Sequence, residues 1–207
     1  LDAGLKLRQN AELVKAYIEA NPGKEVYKGL NFWVFPDDDD PPTHDVLDKY
    51  ASDEVPIIIA GGGGHAALLN QKAIEYFHVK DLISVYGTDG IKVDENGEPT
   101  GYLLETPRFN LFQQIPIGKE EIKEFFLFWQ ENSLKSGFTT ICDAGIVETE
   151  QLPMVSAFKE LAEEGKLKVK VRALCEITET NPDPIKEVDK IARLASECDN
   201  DYFRITG

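Results

Sequence analysis

Helical and strand patterns alternate from residue 118 to the end of the chain, and this alternation limits the possible folds more than any other feature. Three segments repeat apolar residues at helical spacing, namely 118–137, 152–166 and 181–198. Runs rich in β-branched residues lie between and after them, and we predict strands near 138–142, 168–176 and 202–206. Strands joined through helices pair in parallel. The sequence therefore predicts an α/β fold here.

Each of these predicted helices has an apolar face that we expect to lie in the core. The residues on the three faces are Ile122, Phe125, Phe126 and Trp129, then Val155, Phe158, Leu161 and Ala162, and finally Ile185, Val188, Ile191 and Leu194. Gly137 is expected to end the first helix, and Asp183 to cap the third.

The first 117 residues have a different, α+β character. A helical pattern covers 10–23 with Asn10 as its N-cap, and a strand pattern over 24–35 is interrupted at Gly29. Residues 55–60 form a continuous apolar run typical of a buried strand. Two further runs flank Asn96-Gly97 and predict a hairpin over 90–105. We place a domain boundary near residue 117, between units 1–117 and 118–207.

The chain is acidic, with a formal net charge of −15. This charge disfavours nucleic acid and anionic membrane surfaces as partners, since both would repel it. The three cysteines are widely spaced, which favours a reducing, cytoplasmic setting over a disulfide framework. No run approaches the roughly 20 apolar residues of a membrane helix. We expect a partner that is neutral, cationic or metal-bound, and a small-molecule substrate.

Four consecutive glycines, 61–64, follow the buried run and directly precede His65. Glycine tolerates positive φ and lets other groups approach the backbone closely. The run is either a flexible loop or a place where a neighbour comes close. A phosphate cradle is a weaker interpretation, because no GK[ST] sequence follows.

Three segments together resemble the amidohydrolase-3 family of metal-dependent hydrolases, which is related to the N-substituted formamide deformylases. GGGGHAALLNQKAI is similar to the family pattern G-H-x-x-x-x-N-x-x-A-(L/I). DENGEPTGYLLE resembles its D-x-x-G-x-P-T-G hairpin, and GFTTICDAG resembles its second barrel strand. The three occur in the family's order, over nearly the whole chain.

The resemblance implies part of a (β/α)8 TIM barrel, preceded by an inserted α+β domain. It implies hydrolysis of an amide or cyclic amide C–N bond with a divalent metal, zinc being the expected ion. The family's metal ligands match no residue here, and His44, His65 and His78 lie far apart in sequence. We therefore expect a middle segment of a longer enzyme, which alone binds no metal and is inactive.

The resemblance also implies that Gly64, His65, Glu105 and Asp143 lie on the substrate side. Each residue has a structural alternative. His65 could instead fix the turn through a backbone carbonyl. Glu105 could hydrogen-bond His65 or the substrate, or it could be a solvated strand end. Asp143 could cap the next loop, although parallel strands of barrels keep site residues at their C-terminal ends. We expect Asn70 to satisfy backbone groups at a helix start.

We expect the following cysteine, aspartate and histidine residues to have structural rather than functional roles. We expect Cys142 to be buried and inert, the aspartates 37–40 to form a solvated loop, and His44 and His78 to lie at the surface or at helix ends.

A second function class stays open: a non-catalytic binding or assembly module. The absence of metal ligands and the acidic composition favour it. In either case, a partial barrel would leave strand edges and apolar helix faces uncovered, so we expect a homo-oligomer.

Overall fold

The computed structural model describes residue 1, residues 4–146, residue 148, residues 153–177 and residues 183–207. The chain divides into two compact units, Leu1–Ile115 and Pro116–Gly207. The division falls next to the predicted boundary. The roles of the two units as an inserted domain and a barrel segment remain a prediction.

Helices and strands alternate one by one in the second unit, whereas in the first unit two strands or two helices follow one another in several places. In the first unit they are α1 (Leu7–Ala20), β1 (Tyr27–Phe32), α2 (His44–Tyr50), β2 (Ile57–Gly61), β3 (Ala66–Leu69), α3 (Gln71–Tyr76), α4 (Val79–Gly90), β4 (Ile91–Val93), β5 (Pro99–Leu104) and α5 (Thr106–Gln114). In the second unit they are α6 (Lys119–Lys135), β6 (Thr140–Ile146), α7 (Met154–Glu163), β7 (Lys170–Cys175), α8 (Pro184–Glu197) and β8 (Phe203–Ile205).

The sheet of the first unit has the strand order β1-β2-β3-β5-β4. Only β1 and β2 pair in parallel, and the other neighbours are antiparallel. The predicted Asn96-Gly97 hairpin is confirmed, since β4 and β5 flank it. Ile57, Ile58 and Ile59 of β2 are completely buried, as expected for a strand covered on both faces.

The glycine run connects β2 to β3 as a hairpin, in which the Gly64 N–H donates to the Gly61 carbonyl over 3.0 Å. The run therefore does not simply end a buried strand, because residues 66–69 return as β3. The close approach predicted for it occurs at Gly62, where an added Cβ would lie 2.2 Å from Nε1 of Trp33. Gly64 supplies the positive φ of the turn, +79°.

Two expectations for the first unit are wrong. α1 begins at Leu7, so Asn10 lies inside the helix and does not cap it; its side-chain amide donates to the Leu5 carbonyl over 3.1 Å. β1 runs unbroken through Gly29, and its irregularity instead falls at Asn31, which has φ +76°.

In the second unit, β6, β7 and β8 form a sheet in which both pairings are parallel. This confirms the predicted α/β arrangement of three strands and intervening helices. The core contains Val155, Phe158, Val171, Ala173 and Phe203, with Ile191 and Leu194 packed against it. The closed eight-stranded barrel remains a prediction.

The outer faces of α6 and α8 differ from expectation. Phe125 is 57% exposed and Trp129 is 38% exposed, whereas Ile122 and Phe126 of the same helix are buried. On α8, Ile185 and Val188 are exposed. Helical spacing identified an apolar face in each case, but only part of that face meets the core of this unit.

A buried lysine joins α6 to α7. Lys123 Nζ donates to carboxylates of Glu164 at 3.0 Å, and of Glu160 and Glu120 at 3.3 Å each. The hydrogen bond from Lys166, together with that from Lys123, lowers the pKa of Glu164 below its ordinary value of 4.5. Bonds from Lys119 and then Lys123 lower the pKa of Glu160 in the same way. These ionised carboxylates stabilise the fold.

We expect Lys123→Met to lose stability that depends on pH. Because the folded pKa values are depressed, the contribution is present above pH 4.5 and disappears as the pH falls through the folded values. The difference between the unfolding free energies of wild type and variant should therefore shrink below pH 4.5. Urea titrations from pH 7 to pH 3, with the exposed Lys168→Met as control, test this. A pH-independent difference would contradict it.

Candidate functional site

The side chains of His65 and Glu105 meet where β3 begins and β5 ends. His65 Nδ1 lies 3.1 Å from Oε2 of Glu105, although the two residues are 40 positions apart. The backbone supports this contact, because the Glu105 N–H donates to the His65 carbonyl over 2.8 Å. The adjacent residues Ala66 and Leu104 are partners in the ladder between β3 and β5. The pair is therefore held by the sheet.

Both side chains of the His65–Glu105 pair face solvent. The side chains are 71% and 63% exposed. Such an exposed contact adds little to fold stability. It leaves both groups accessible to a ligand.

Glu105 has an uncommon backbone conformation, with φ +56° and ψ −128°. A non-glycine residue in this region costs about 1–3 kcal/mol, and such residues cluster at functional sites. The conformation turns the chain from β5 directly into α5, which begins at Thr106. The strain thus falls on the residue that contacts His65.

Asn70 fixes the chain beyond β3. Its Oδ1 accepts from the Ala73 N–H and from the Ile57 N–H at 2.9 Å each, and its Nδ2 donates to the carbonyls of Ser52 and Val55 at 2.8 Å each. Asn70 is fully buried. The prediction that Asn70 satisfies backbone groups at a helix start is confirmed, and the same side chain also holds β2 in place.

The structure shows why the Pro-Thr-Gly sequence has a glycine at position 101. Gly101 has φ +88°, and an added Cβ would lie 2.4 Å from the carbonyl oxygen of Leu69. The Cβ of His44 would also be only 3.2 Å away. Glycine therefore allows β3 and the start of α2 to lie directly against β5.

The other two predicted site residues are Gly64, which directly precedes His65 in the chain, and Asp143. Gly64 contributes its turn conformation, and a direct role with substrate remains a prediction. Asp143 belongs to the second unit, where its Oδ1 accepts from the Gly145 N–H over 3.1 Å. It lies within β6, before an irregularity that ends at Ile146, and its strand extends further than the predicted 138–142. The expected burial of neighbouring Cys142 is wrong, since Cys142 is exposed.

A cleft of about 660 Å³ in the first unit was not predicted from the sequence. It brings together His44 and His78, which lie at the starts of α2 and α4 as expected for helix-end residues. His44 Nδ1 lies 2.8 Å from Oδ2 of Asp48. Within the described residues, no group of three or more His, Cys, Asp or Glu side chains could hold a metal ion. No local pattern indicates this cleft, because its walls come from segments that are separated in the sequence.

Comparisons with known proteins point to hydrolase folds and to one regulatory protein. No family model matches the chain. It is 29% identical over 180 residues to the exoenzymes regulatory protein AepA of Pectobacterium carotovorum subsp. carotovorum, an alignment covering 82% of this chain and 37% of the relative. The chain thus spans little more than a third of that relative's length.

Two solved structures share the fold. Both are described as uncharacterized metal-dependent hydrolases. One is from Pyrococcus furiosus, with a TM-score of 0.57 and 20% identity, covering 100% of this chain and 38% of that one. The other is from Pyrococcus horikoshii OT3, with a TM-score of 0.58 and 18% identity, covering 95% and 36%. At these identities the likeness concerns the fold alone. Among the described residues, no helix has the length and apolar character needed to span a bilayer.

Proposed function

We propose that this chain is a segment of a metal-dependent hydrolase that cleaves an amide or cyclic amide C–N bond of a small molecule, in the manner of the amidohydrolase-3 family. The observation that carries the proposal is the His65–Glu105 pair. Each residue belongs to a different family-like signature, and His65 Nδ1 lies 3.1 Å from Oε2 of Glu105. The fold likeness to two metal-dependent hydrolases supports it. A cytoplasmic location is part of the same proposal.

The pair suits recognition of a polarised carbonyl. The Glu105 carboxylate can accept a hydrogen bond from His65 Nδ1–H, which orients the imidazole and leaves Nε2 for a substrate. When the ring is protonated, Nε2 can donate to an oxygen that gains negative charge during hydrolysis. Gly64 and Asp143 are proposed to line the substrate side, as the family resemblance implies.

The described residues do not fit a metal site, since no three potential ligands converge. We propose that the metal, zinc being the expected ion, is held by residues outside these 207. The role assigned to His65 is to contact the substrate.

We expect His65→Asn, made in the longer enzyme, to lower kcat about 100-fold with little change in thermal stability. Loss of a donor aimed at a developing oxyanion removes an interaction made mainly in the transition state. Glu105→Gln should show a smaller loss of the same kind. Steady-state kinetics and thermal melts on the same samples test this, with His78→Asn as the matched control.

A purely structural histidine would behave differently. It would leave kcat unchanged while lowering the melting temperature, because a fixing hydrogen bond contributes about 1 kcal/mol. Unchanged kcat at normal metal content would overturn the proposed role of His65.

A regulatory or binding module is the second candidate. The observation that favours it is the likeness to a protein named as an exoenzyme regulator. Sequencing the open reading frame around this segment distinguishes the hydrolase from the regulatory or binding module. A His-x-His sequence upstream of residue 1 and a lysine soon after residue 207 would favour the hydrolase.

A further inference from the structure

The His65–Glu105 pair lies at one edge of the first unit's sheet, and the end of β1 lies at the same edge. β1 and β2 are parallel, and β3 is antiparallel to both β2 and β5, so β5 has the same direction as β1 and β2. These three strands end at Phe32, Gly61 and Leu104. The residues that follow β1 therefore lie beside the turn between β2 and β3, which leads directly into His65.

The end of β1 is attached to this turn. The Gly62 N–H donates to the Phe32 carbonyl over 2.9 Å. The indole of Trp33 also lies directly against Gly62: an added Cβ there would be 2.5 Å from Cε2 of Trp33 and 2.6 Å from Oδ1 of Asn31. Real Cβ atoms essentially never come so close to a neighbour. Glycine at position 62 therefore lets these two side chains reach the turn backbone.

A β-bulge in β1 brings the two side chains to the turn. The register between β1 and β2 shifts between Leu30 and Phe32, and Asn31 within the shift has φ +76°. Tyr27 and Phe32 both join the same core cluster, which strict alternation along the strand would not allow without the extra residue. Bulges of this kind redirect side chains and occur frequently beside active sites.

The position of the His65 imidazole depends on the path of the turn. The Gly64 N–H donates to the Gly61 carbonyl, and an added Cβ at Gly63 would lie 3.9 Å from Cδ2 of His65. The imidazole thus lies beside the turn backbone. Its contact with Glu105 is exposed and contributes little by itself. Contacts that fix the turn therefore also fix the imidazole.

We propose that Trp33 is a positioning residue for His65. Its indole, packed against Gly62, holds the β2–β3 turn in the path that keeps the imidazole at Glu105. Without the indole, the turn gains freedom and the imidazole leaves Glu105 for part of the time. The consequence for hydrolysis rests on the proposed function, whereas the consequence for the His65–Glu105 contact does not. Trp33 acts through His65 and is assigned no contact with the substrate.

The tautomer of His65 tests this contact directly in the 207-residue chain. At about pH 8.5, above the range in which histidine ordinarily titrates, a bond to the Glu105 carboxylate selects the ring form with its hydrogen on Nδ1. Long-range ¹H–¹⁵N spectra of the histidine rings should show this form in the wild type. Trp33→Ala should shift His65 towards the Nε2–H form. Gly62→Ala should do the same, because the added Cβ displaces the indole.

Two controls show whether the change is local. His44 lies in the same unit and has its own carboxylate partner, since its Nδ1 lies 2.8 Å from Oδ2 of Asp48. Its ring signals should stay the same in both variants if the unit remains folded. Trp129→Ala is the matched substitution, because Trp129 is 38% exposed against 43% for Trp33 and lies in the second unit. It should leave the tautomer of His65 unchanged.

Kinetics of the longer enzyme test whether Trp33 acts through His65. Trp33→Ala should lower kcat about tenfold, because a misplaced donor is weakened but not removed. In the His65→Asn background the same substitution should change kcat less than about twofold, since the group that it positions is absent. Trp33→Phe should recover most of the activity, because a phenyl ring still covers Gly62.

Several results would overturn the proposal. It fails if the wild type shows the Nε2–H form of His65, or if neither Trp33→Ala nor Gly62→Ala changes the tautomer. Loss of the His44 signals together with those of His65 would mean that Trp33 only stabilises the unit. An equal loss of kcat with and without His65 would mean that Trp33 acts by another route. If His65→Asn itself leaves kcat unchanged, the proposed function fails, and the tautomer measurement still decides the positioning role.

Discussion

Replacing Asn70 by alanine is expected to destabilise the first unit by about 4 kcal/mol, because one buried side chain serves four backbone groups. The substitution leaves the N–H groups of Ile57 and Ala73 without their acceptor, and the carbonyls of Ser52 and Val55 without their donor. Each buried group left unpaired costs about 1–3 kcal/mol. The lost N-cap is included in this sum.

Urea unfolding followed by far-UV circular dichroism measures this loss. The matched control is Gln114→Ala, which removes an exposed side-chain amide that donates to the Asn110 carbonyl at 3.2 Å. We expect the control to change the unfolding free energy by less than about 0.5 kcal/mol. A loss below about 1.5 kcal/mol for Asn70→Ala would mean that water replaces the amide easily.

Gly101→Ala is expected to destabilise the first unit by at least about 4 kcal/mol, if it folds at all. Two costs add at this position. The φ of +88° is unfavourable for any residue with a Cβ, and that Cβ would lie 2.4 Å from the backbone oxygen of Leu69. Backbone on both sides is held in the sheet, so neither strand can move away without breaking the pairing of β3 with β5.

Gly97→Ala separates the two costs. Gly97 has a similar φ of +81°, but an added Cβ there would meet nothing within 4 Å. This variant should therefore show only the conformational cost, about 1–2 kcal/mol. Equal effects of the two substitutions in urea unfolding would refute the role given to the close approach at Leu69.

Local patterns in the sequence predicted local structure well. The Asn96-Gly97 hairpin follows from a dipeptide that is typical of tight turns, and Gly97 supplies the positive φ of +81°. The parallel sheet of the second unit follows from the alternation of helix-like and strand-like patterns of apolar residues over 118–207. By contrast, α4 and α5 were not predicted, since α4 contains Gly87 with φ +68° and its apolar periodicity is weak.

The partners of a surface were much harder to predict than the surface itself. Helical spacing identified Phe125 and Trp129 as apolar positions of α6, but spacing does not say what a face meets. The β2–β3 hairpin was missed for a similar reason: a fully apolar run fits parallel and antiparallel neighbours equally.

The candidate site shows the same limit. The sequence motifs singled out His65 and Glu105 separately and left their contact as one of several alternatives. Their meeting depends on the register between β3 and β5, which no local pattern encodes. The cleft beside His44 and His78 likewise depends on distant segments.

The seam between β3 and β5 has a consequence for the order of folding. The hairpins β2–β3 and β4–β5 each close a short loop and can form independently. The pairing of β3 with β5 joins the two hairpins and brings together residues that are 40 positions apart. Its loop-closure entropy cost is larger, so we expect it to form after the hairpins. His65 lies in one hairpin and Glu105 follows the other. The pair therefore comes into existence only when the two hairpins dock, and a partly folded chain has both side chains but no site.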